Sequence, residues 1–427
     1  MTASNTKLVQ IEKPVYGGAF LARVEGKAVF VPLTLPGEEA HVRMVEEKRG
    51  YALAEAEEIV APSRARITPR CRHFGTCGGC HYQHTDYETQ LGFKKAVLRE
   101  TLERGGVLAL PEIAACAANP WSYRNRIRLA FDAAANPGYR GRRSHAVVPV
   151  SECPIAAPLL LNASVSFAAM LRESVPALRP TEMSLFCNGD ESALLVSIFI
   201  PSPGKFRIEE IARAFTKRVP ELQGLELVVE GRKGEQPRTL ARWGAPSLTY
   251  RAGEFDYRVD HGSFFQVNRW LVDSLVQRVT EGRGGKLAWD LFAGVGLFAR
   301  QLAVNFEHVI AVESAPTAIE ALKENLRNTQ SEVVKAETLP FLRRRPKSDP
   351  PDLIVVDPPR TGLGPETTGQ LARITAPAIV YVSCDPATLA RDLRALSSSG
   401  YAIESITLVD LFPQTFHLET VVALRRA

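Results

Sequence analysis

The sequence predicts a multidomain protein of mixed α and β structure: a small OB-like β-barrel over residues 1–60, a central α+β domain with a metal-holding loop over 61–260, and a C-terminal α/β domain over 261–427. Three observations carry this division. Near the start, short apolar runs (Lys27–Val31, Ala40–Val45, Tyr51–Ile59) alternate with turn signals at Tyr16-Gly17-Gly18 and Leu35-Pro36-Gly37, the pattern of a small all-β unit. A Cys-, His- and Gly-rich stretch over 61–90 then breaks all periodicity. From about Asp260, apolar runs at Leu287–Phe292, His308–Glu313, Asp352–Asp357 and Ala378–Ser383 alternate with helix-like stretches, which implies a parallel sheet with crossover helices.

Length and composition agree. At roughly 150 residues per domain, 427 residues make about three domains, and 45% hydrophobic residues supply ample core. A net charge of +5 and a pI near 8.8 fit a polyanionic partner. Barrels of five strands often bind oligonucleotides, and Lys27, Arg43, Lys48 and Arg49 are the basic residues this one presents. No apolar run reaches the ~20 residues of a membrane helix, and the opening MTASNTKLVQ lacks a signal-peptide core. A cytoplasmic protein without membrane contact is expected, and nothing indicates an obligate protein partner. In that compartment seven cysteines read as metal, redox or catalytic residues before disulfides.

Within the central domain, residues 91–105 and Ile208–Arg218 read as helices, and Arg126–Phe131 and Ala193–Ile200 as strands. Cys71, Cys77 and Cys80 are closely spaced around Gly78-Gly79, and Cys153 is a distant fourth ligand candidate. Four thiolates suit zinc or an iron–sulfur cluster, and spacing alone does not separate the two. His73, His81 and His84 are candidate zinc ligands, but are expected rather to surround this site or face RNA. Cys116 and Cys187 read as packing residues. Arg124, Arg126 and Arg128, beside Trp121 and Tyr123, alternate as phosphate and stacking contacts would.

The C-terminal domain carries the chemistry. Its first strand enters the turn Phe292-Ala293-Gly294-Val295-Gly296-Leu297. Two glycines allow a tight turn and close backbone approach. The next strand ends at Glu313, about 20 residues on, where a carboxylate accepts ribose hydroxyls. Lacking the third glycine of a dinucleotide fingerprint, the loop suits a ligand without pyrophosphate, such as S-adenosylmethionine. Asp357, in Asp-Pro-Pro-Arg, and Cys384, in Ser-Cys-Asp-Pro, each follow a buried-type strand and should face the same cleft at the strand ends. There Cys384 is a nucleophile candidate and Glu419, before a final strand at Val421–Leu424, a base candidate. His417 reads as structural.

Taken together, these motifs resemble the bacterial RNA uridine-5 methyltransferase family, which includes the 23S rRNA enzymes RlmD and RlmC and the tRNA enzyme TrmA. The likeness spans nearly the whole chain, and the layout is most similar to RlmD. It implies that residues 1–60 form a TRAM barrel, that Cys71, Cys77, Cys80 and Cys153 hold a 4Fe-4S cluster, and that 261–427 form a class I (Rossmann-like) methyltransferase domain on a seven-stranded, mostly parallel sheet. Ser263–Asn268 matches the segment that supplies a cofactor-contacting glutamine, here Gln266. Phe292, Gly294, Gly296, Glu313 and Asp357 match the remaining S-adenosylmethionine contacts. Val382–Arg391 carries the nucleophile Cys384, and His417-Leu418-Glu419 the base Glu419. The implied activity is methylation of carbon 5 of a flipped uridine in structured RNA, 23S rRNA before tRNA. Leu297 departs from the family, where asparagine is frequent, and removes one polar cofactor contact. Asp357-Pro358-Pro359-Arg360 also resembles the motif of amino-group methyltransferases, but such enzymes need no thiol like that of Cys384.

Overall fold

A computed structural model describes residues 6–231, 235, 237–346 and 349–427; the first five residues of the expected barrel domain lie outside the described residues. Strands β1 (Thr6–Pro14), β2 (Ala19–Val24), β3 (Lys27–Pro32), β4 (Glu39–Glu47) and β5 (Tyr51–Ala61) close into a barrel in the order β1-β2-β3-β5-β4. Alternate residues (Val9 and Ile11, Phe20 and Ala22, Val29 and Val31, Ala40 and Val42, Ala52 and Ala54) fill its interior, as the period of two of a strand requires. The basic residues expected to meet RNA are largely neutralised: Lys27 pairs with Glu47, Arg43 with Glu55 and Glu57, and Lys48 with Glu46.

Next come α1 (Tyr87–Arg104), β6 (Ile113–Cys116), β7 (Arg126–Phe131), β8 (Pro137–Arg140), β9 (Val147–Pro149), α2 (Pro158–Ser174), β10 (Glu182–Cys187), β11 (Leu194–Ile200), α3 (Ile208–Thr216), β12 (Leu222–Val229) and β13 (Arg238–Gly244). Seven of these strands form one sheet, β13-β12-β11-β10-β7-β8-β9. Its core is shared with α2 and α3, and Cys187 is buried in it, as a packing residue should be. A hairpin of β14 (Ser247–Ala252) and β15 (Phe255–Asp260) leads to the Ser263–Asn268 segment.

The C-terminal elements are α4 (Val272–Thr280), β16 (Gly285–Leu291), α5 (Leu297–Leu302), β17 (Phe306–Glu313), α6 (Pro316–Asn325), β18 (Ser331–Lys335), α7 (Thr338–Arg343), β19 (Leu353–Val356), α8 (Gly364–Ile374), β20 (Ala378–Ser383), α9 (Pro386–Ser398), β21 (Tyr401–Val409) and β22 (Thr420–Arg426). The sheet order is β18-β17-β16-β19-β20-β22-β21-β6, with a separate apolar core on each face. It has eight strands where seven were expected. The eighth, β6, comes from the stretch assigned to the central domain and pairs in parallel with β21. Helix α1 likewise packs in this domain's core, through Val97, Leu98 and Leu102. The boundary at residue 260 is therefore crossed by two earlier elements. A strand of four residues, Ile-Ala-Ala-Cys, is too short to show a period. The strand order reverses between β16 and β19, and such a switch point opens a crevice at the strands' carboxyl ends. Among the described residues no helix is long and apolar enough to cross a membrane.

Candidate active site

The crevice begins with Asp290 near the end of β16. Its side chain is fully buried. Oδ2 accepts a 2.8 Å hydrogen bond from the Ala299 N–H in α5, and Oδ1 has no partner. Burial, reinforced by the charges of Asp357 and Glu313, pushes its pKa up to about 7. The chain then turns through three left-handed residues, Phe292 (φ 68°), Gly294 (φ 56°) and Gly296 (φ 89°). Gly296 is required twice over: besides that φ, a Cβ here would stand 2.7 Å from Leu322 Cδ1. A left-handed phenylalanine is strained, as residues at functional sites often are.

Glu313 at the end of β17 folds back on this turn. One carboxylate oxygen accepts from Gly294 N–H at 2.8 Å, the other from Ser314 and Ala315 N–H at 2.7 and 2.6 Å. Asp357 is half-buried just beyond β19, and burial raises its pKa to about 7. Gln266 is buried, and its carbonyl accepts from Asn125 Nδ2 at 3.0 Å. The orphaned Asp290 oxygen, the bare Gly294 and the three converging carboxylates fit a polar ligand with hydroxyl and amino groups. Leu297 packs into the core beneath, so its side chain is spent on packing.

The nucleophile candidate lies further along the same edge. Strands β20 and β22 run antiparallel with Ser383 opposite Thr420, which sets the adjoining Cys384 and Glu419 side by side. Burial first, then the charges of Glu419 and Asp357, push the Cys384 thiol up to about 11; Arg360 acts against them. Glu419 is 6% exposed. Burial and then Asp357 hold its carboxyl well above the usual range, again opposed by Arg360. Arg360 is thus the nearby cation common to both groups, and its Nη2 lies 3.1 Å from His417 Nδ1. Burial, then Arg360, drives His417 down to about 3, so it stays a neutral, structural imidazole. Asp385, next to Cys384, caps α9 through Ala387 and Thr388 N–H, both at 3.0 Å. It also accepts from Tyr16 Oη of the barrel at 3.2 Å.

Arg360 and Tyr16 are site residues that sequence reasoning misses. A cation directly after the Pro-Pro at a strand end is a usable signal for Arg360. Tyr16 is revealed only by the tertiary contact. Phe264, 66% exposed and two residues from Gln266, stands in the sequence only as part of a motif.

Cys71, Cys77, Cys80 and Cys153 all line one cavity of about 820 Å³. Burial is the main influence on Cys71, Cys77 and Cys80, and carries Cys80 up to about 12; the charge of Cys153 pushes all three the same way. Among the described residues no three His, Cys, Asp or Glu side chains group as ligands of a single metal ion, so a one-ion zinc site is not formed. The four thiols share a cavity, but the metal-holding group expected of them is not formed among the described residues. His73 lines the cavity with a buried Nε2 that has no partner. His84 does not face outward: it is buried with Nε2 3.0 Å from the Thr34 carbonyl oxygen. Arg124 and Arg126 are half-buried rather than on an open strand face, because Arg124 lies over Tyr123 and Phe412 and Arg126 over Phe186. Arg128 alone is exposed, paired with Glu182. Cys116 is half-buried at the sheet edge, packed against the core.

Comparison with known proteins agrees with this geometry. A family model described as tRNA (Uracil-5-)-methyltransferase matches residues 348–427, and the TRAM domain matches 4–56. The crystal structure of the Pyrococcus abyssi tRNA (uracil-54, C5)-methyltransferase with S-adenosyl-L-homocysteine is similar over 97% of this chain and 100% of that one, with a TM-score of 0.79 and 25% identity. An uncharacterized RNA methyltransferase of Thermotoga maritima is 32% identical over 97% of this chain and 98% of its own. The 23S rRNA (uracil(1939)-C(5))-methyltransferase RlmD of Chromohalobacter salexigens is 31% identical over 98% of this chain and 89% of its own. Fold and site together define an S-adenosylmethionine-dependent RNA methyltransferase with an N-terminal TRAM barrel. More narrowly, the chain belongs to the RNA uridine-5 methyltransferase family.

Proposed function

We propose that this enzyme methylates carbon 5 of a specific uridine in 23S rRNA, with Cys384 as covalent nucleophile and Glu419 as base. The observation that carries the mechanism is the β20–β22 register, which sets thiol and carboxylate side by side. S-adenosylmethionine, held by Gln266, Phe292, Gly294, Gly296, Glu313 and Asp357, supplies the electrophilic methyl group. Uracil carbon 5 is a poor nucleophile until carbon 6 is saturated. Cys384 Sγ bonds to carbon 6, and the displaced electron pair moves through carbon 5 to the O4 oxygen as an enolate. The re-forming carbonyl drives carbon 5 onto the methyl group, whose bond to the donor's sulfonium sulfur would break and leave S-adenosylhomocysteine. Glu419 takes the proton from carbon 5, and the electrons left behind expel Sγ and restore the double bond. A carboxylate held above its usual range is a stronger proton acceptor, and Arg360 opposes the burial that favours the neutral thiol and carboxyl. The cleft is reached only by a base out of its stack, so the target is a flipped uridine, for which the exposed Phe264 offers a stacking face.

Support for 23S rRNA comes from the RlmD relative, which is similar over 98% of this chain; tRNA is the alternative, favoured by the Pyrococcus abyssi likeness. In the same reading the four cysteines hold a 4Fe-4S cluster. Complete thiolate ligation leaves no open iron, which suits a structural role. In Glu419→Gln, methyl transfer should proceed while turnover falls by roughly 10² to 10⁴, leaving a Cys384–RNA adduct that survives a denaturing gel. Normal turnover with no adduct would remove Glu419 as the base. Anaerobically purified protein should be brown and lose its visible absorbance in Cys77→Ser; a colourless wild type containing one zinc would contradict the cluster.

A further inference from the structure

Positive charge is unevenly spread along the chain. The barrel, residues 6–61, has seven Lys and Arg against nine Glu. Residues 121–145 have six Arg against one Asp, and 62–85 have four Arg and no acid. In the cysteine loop Arg66 is tied to Glu38 and Arg72 to Glu152, so residues 121–145, more than the barrel, carry the electrostatic attraction for a polyanion.

These basic segments meet the barrel at a groove of about 540 Å³. Arg128, Arg140, Arg142 and Arg143 line it, and none of the described lining residues is acidic. Nearby acids only partly offset this charge: Arg128 and Arg140 share Glu182, and Arg142 reaches Glu55. Gly17, Gly18, Gly78, Gly79 and Gly141 also line the groove. A floor of bare backbone between guanidinium groups admits a chain of phosphates closely. A Cβ on Gly17 would meet nothing within 4 Å, so this wall stands open.

The groove also leads somewhere. His81 in its wall packs on Phe416 at 4.7 Å between ring centres, and Phe416 on His417 at 4.3 Å. His417 contacts Arg360. Tyr16, adjoining Gly17, donates to Asp385 beside Cys384. A strand lying in the groove is thereby directed toward the nucleophile.

Resting on the reading of this protein as an RNA enzyme, we propose that the groove between the β1–β2 turn and the β8–β9 hairpin holds the phosphodiester backbone flanking the target uridine. The barrel turn acts as its wall rather than as its charge. Each phosphate neutralised contributes about 0.7 to 0.9 to the slope of log binding constant against log salt.

The test measures that slope with an unmodified 23S rRNA transcript and with an oligouridylate. Arg140→Ala/Arg143→Ala should flatten the slope by about 1.4 to 1.8 and raise KM for RNA, with kcat at saturating RNA unchanged. Arg143→Asn is the milder variant: asparagine tolerates the left-handed conformation of this exposed residue (φ 55°) while removing the charge. Arg43→Ala/Lys48→Ala, which removes equal charge from the barrel, should leave the slope as in wild type. Groove variants with the wild-type slope, or barrel variants flattened as much as groove variants, would overturn the proposal. In either case wild type that binds and methylates RNA leaves the enzyme reading standing; wild type that does neither defeats both.

Discussion

Two buried collections of charge lie nine residues apart in the chain, at Asp410 and Glu419, and are built on opposite terms. Asp410 is fully buried and fully answered. Lys94 Nζ donates to it at 2.5 Å and Tyr87 Oη at 2.8 Å, while the same ammonium reaches the Phe412 carbonyl at 2.9 Å. Around Glu419 the opposite holds. Asp357 lies near enough to raise its pKa, Asp357 and Glu313 raise that of Asp290, and Arg360 is the cation that opposes them at Cys384 and Glu419. Within a few residues, a satisfied pair fixes the β21–β22 loop, and a crowded, unpaired group stands where the proposed base is. Gln90 and Gln414 add to the fixing, exchanging hydrogen bonds at 3.0 and 3.1 Å. Charge that is paired builds the fold, and charge left crowded is what the proposed chemistry would draw on.

Breaking each side separately sharpens this contrast. Lys94→Ala leaves Asp410 buried without its cation, and should cost about 3–5 kcal/mol of stability, read as a large drop in thermal midpoint. A midpoint close to wild type would show that the pair is not the strut described. On the other side the expected effect is chemical and smaller. The Cys384 thiol is raised to about 11, so its alkylation by iodoacetamide should accelerate with pH through the alkaline range, because only the thiolate attacks. Arg360 lowers that pKa; Arg360→Gln should raise it further and slow alkylation at any lower pH, because the thiolate fraction there falls roughly tenfold each time the pKa climbs by one. Unchanged or faster alkylation would mean that Arg360 does not support the thiolate.

How much of this is legible in the sequence depends on range. Arg126–Phe131 and Ala378–Ser383 can be bounded to the residue, because each is an apolar or alternating run with clear ends. Strand β6 cannot, being four residues held only by its pairing to β21. The cofactor turn is readable since its glycines and acids are local in sequence. Cys384 can be placed at a strand end, but its proximity to Glu419 depends on the antiparallel β20–β22 register, which no local pattern encodes. The alternating arginines after Trp121 read as open phosphate and stacking contacts. Instead Tyr123, Phe412 and Phe186 cover two of them, two of these three rings arriving from distant sequence. Charge on the barrel is overvalued for a related reason: the basic residues are visible in the sequence, whereas the partners of Lys27 and Arg43 (Glu47, Glu55 and Glu57) lie on other strands.

The proposed covalent uridine-5 methylation through Cys384 is the step on which the rest depends. Its most direct test offers labelled S-adenosylmethionine with undermodified 23S rRNA and tRNA in parallel, followed by nucleoside analysis of each product. The prediction is label in 5-methyluridine from 23S rRNA, absent with Cys384→Ala. Label in 5-methyluridine from tRNA alone would correct the substrate and keep the chemistry; label in another nucleoside, or full transfer by Cys384→Ala, would contradict the mechanism itself.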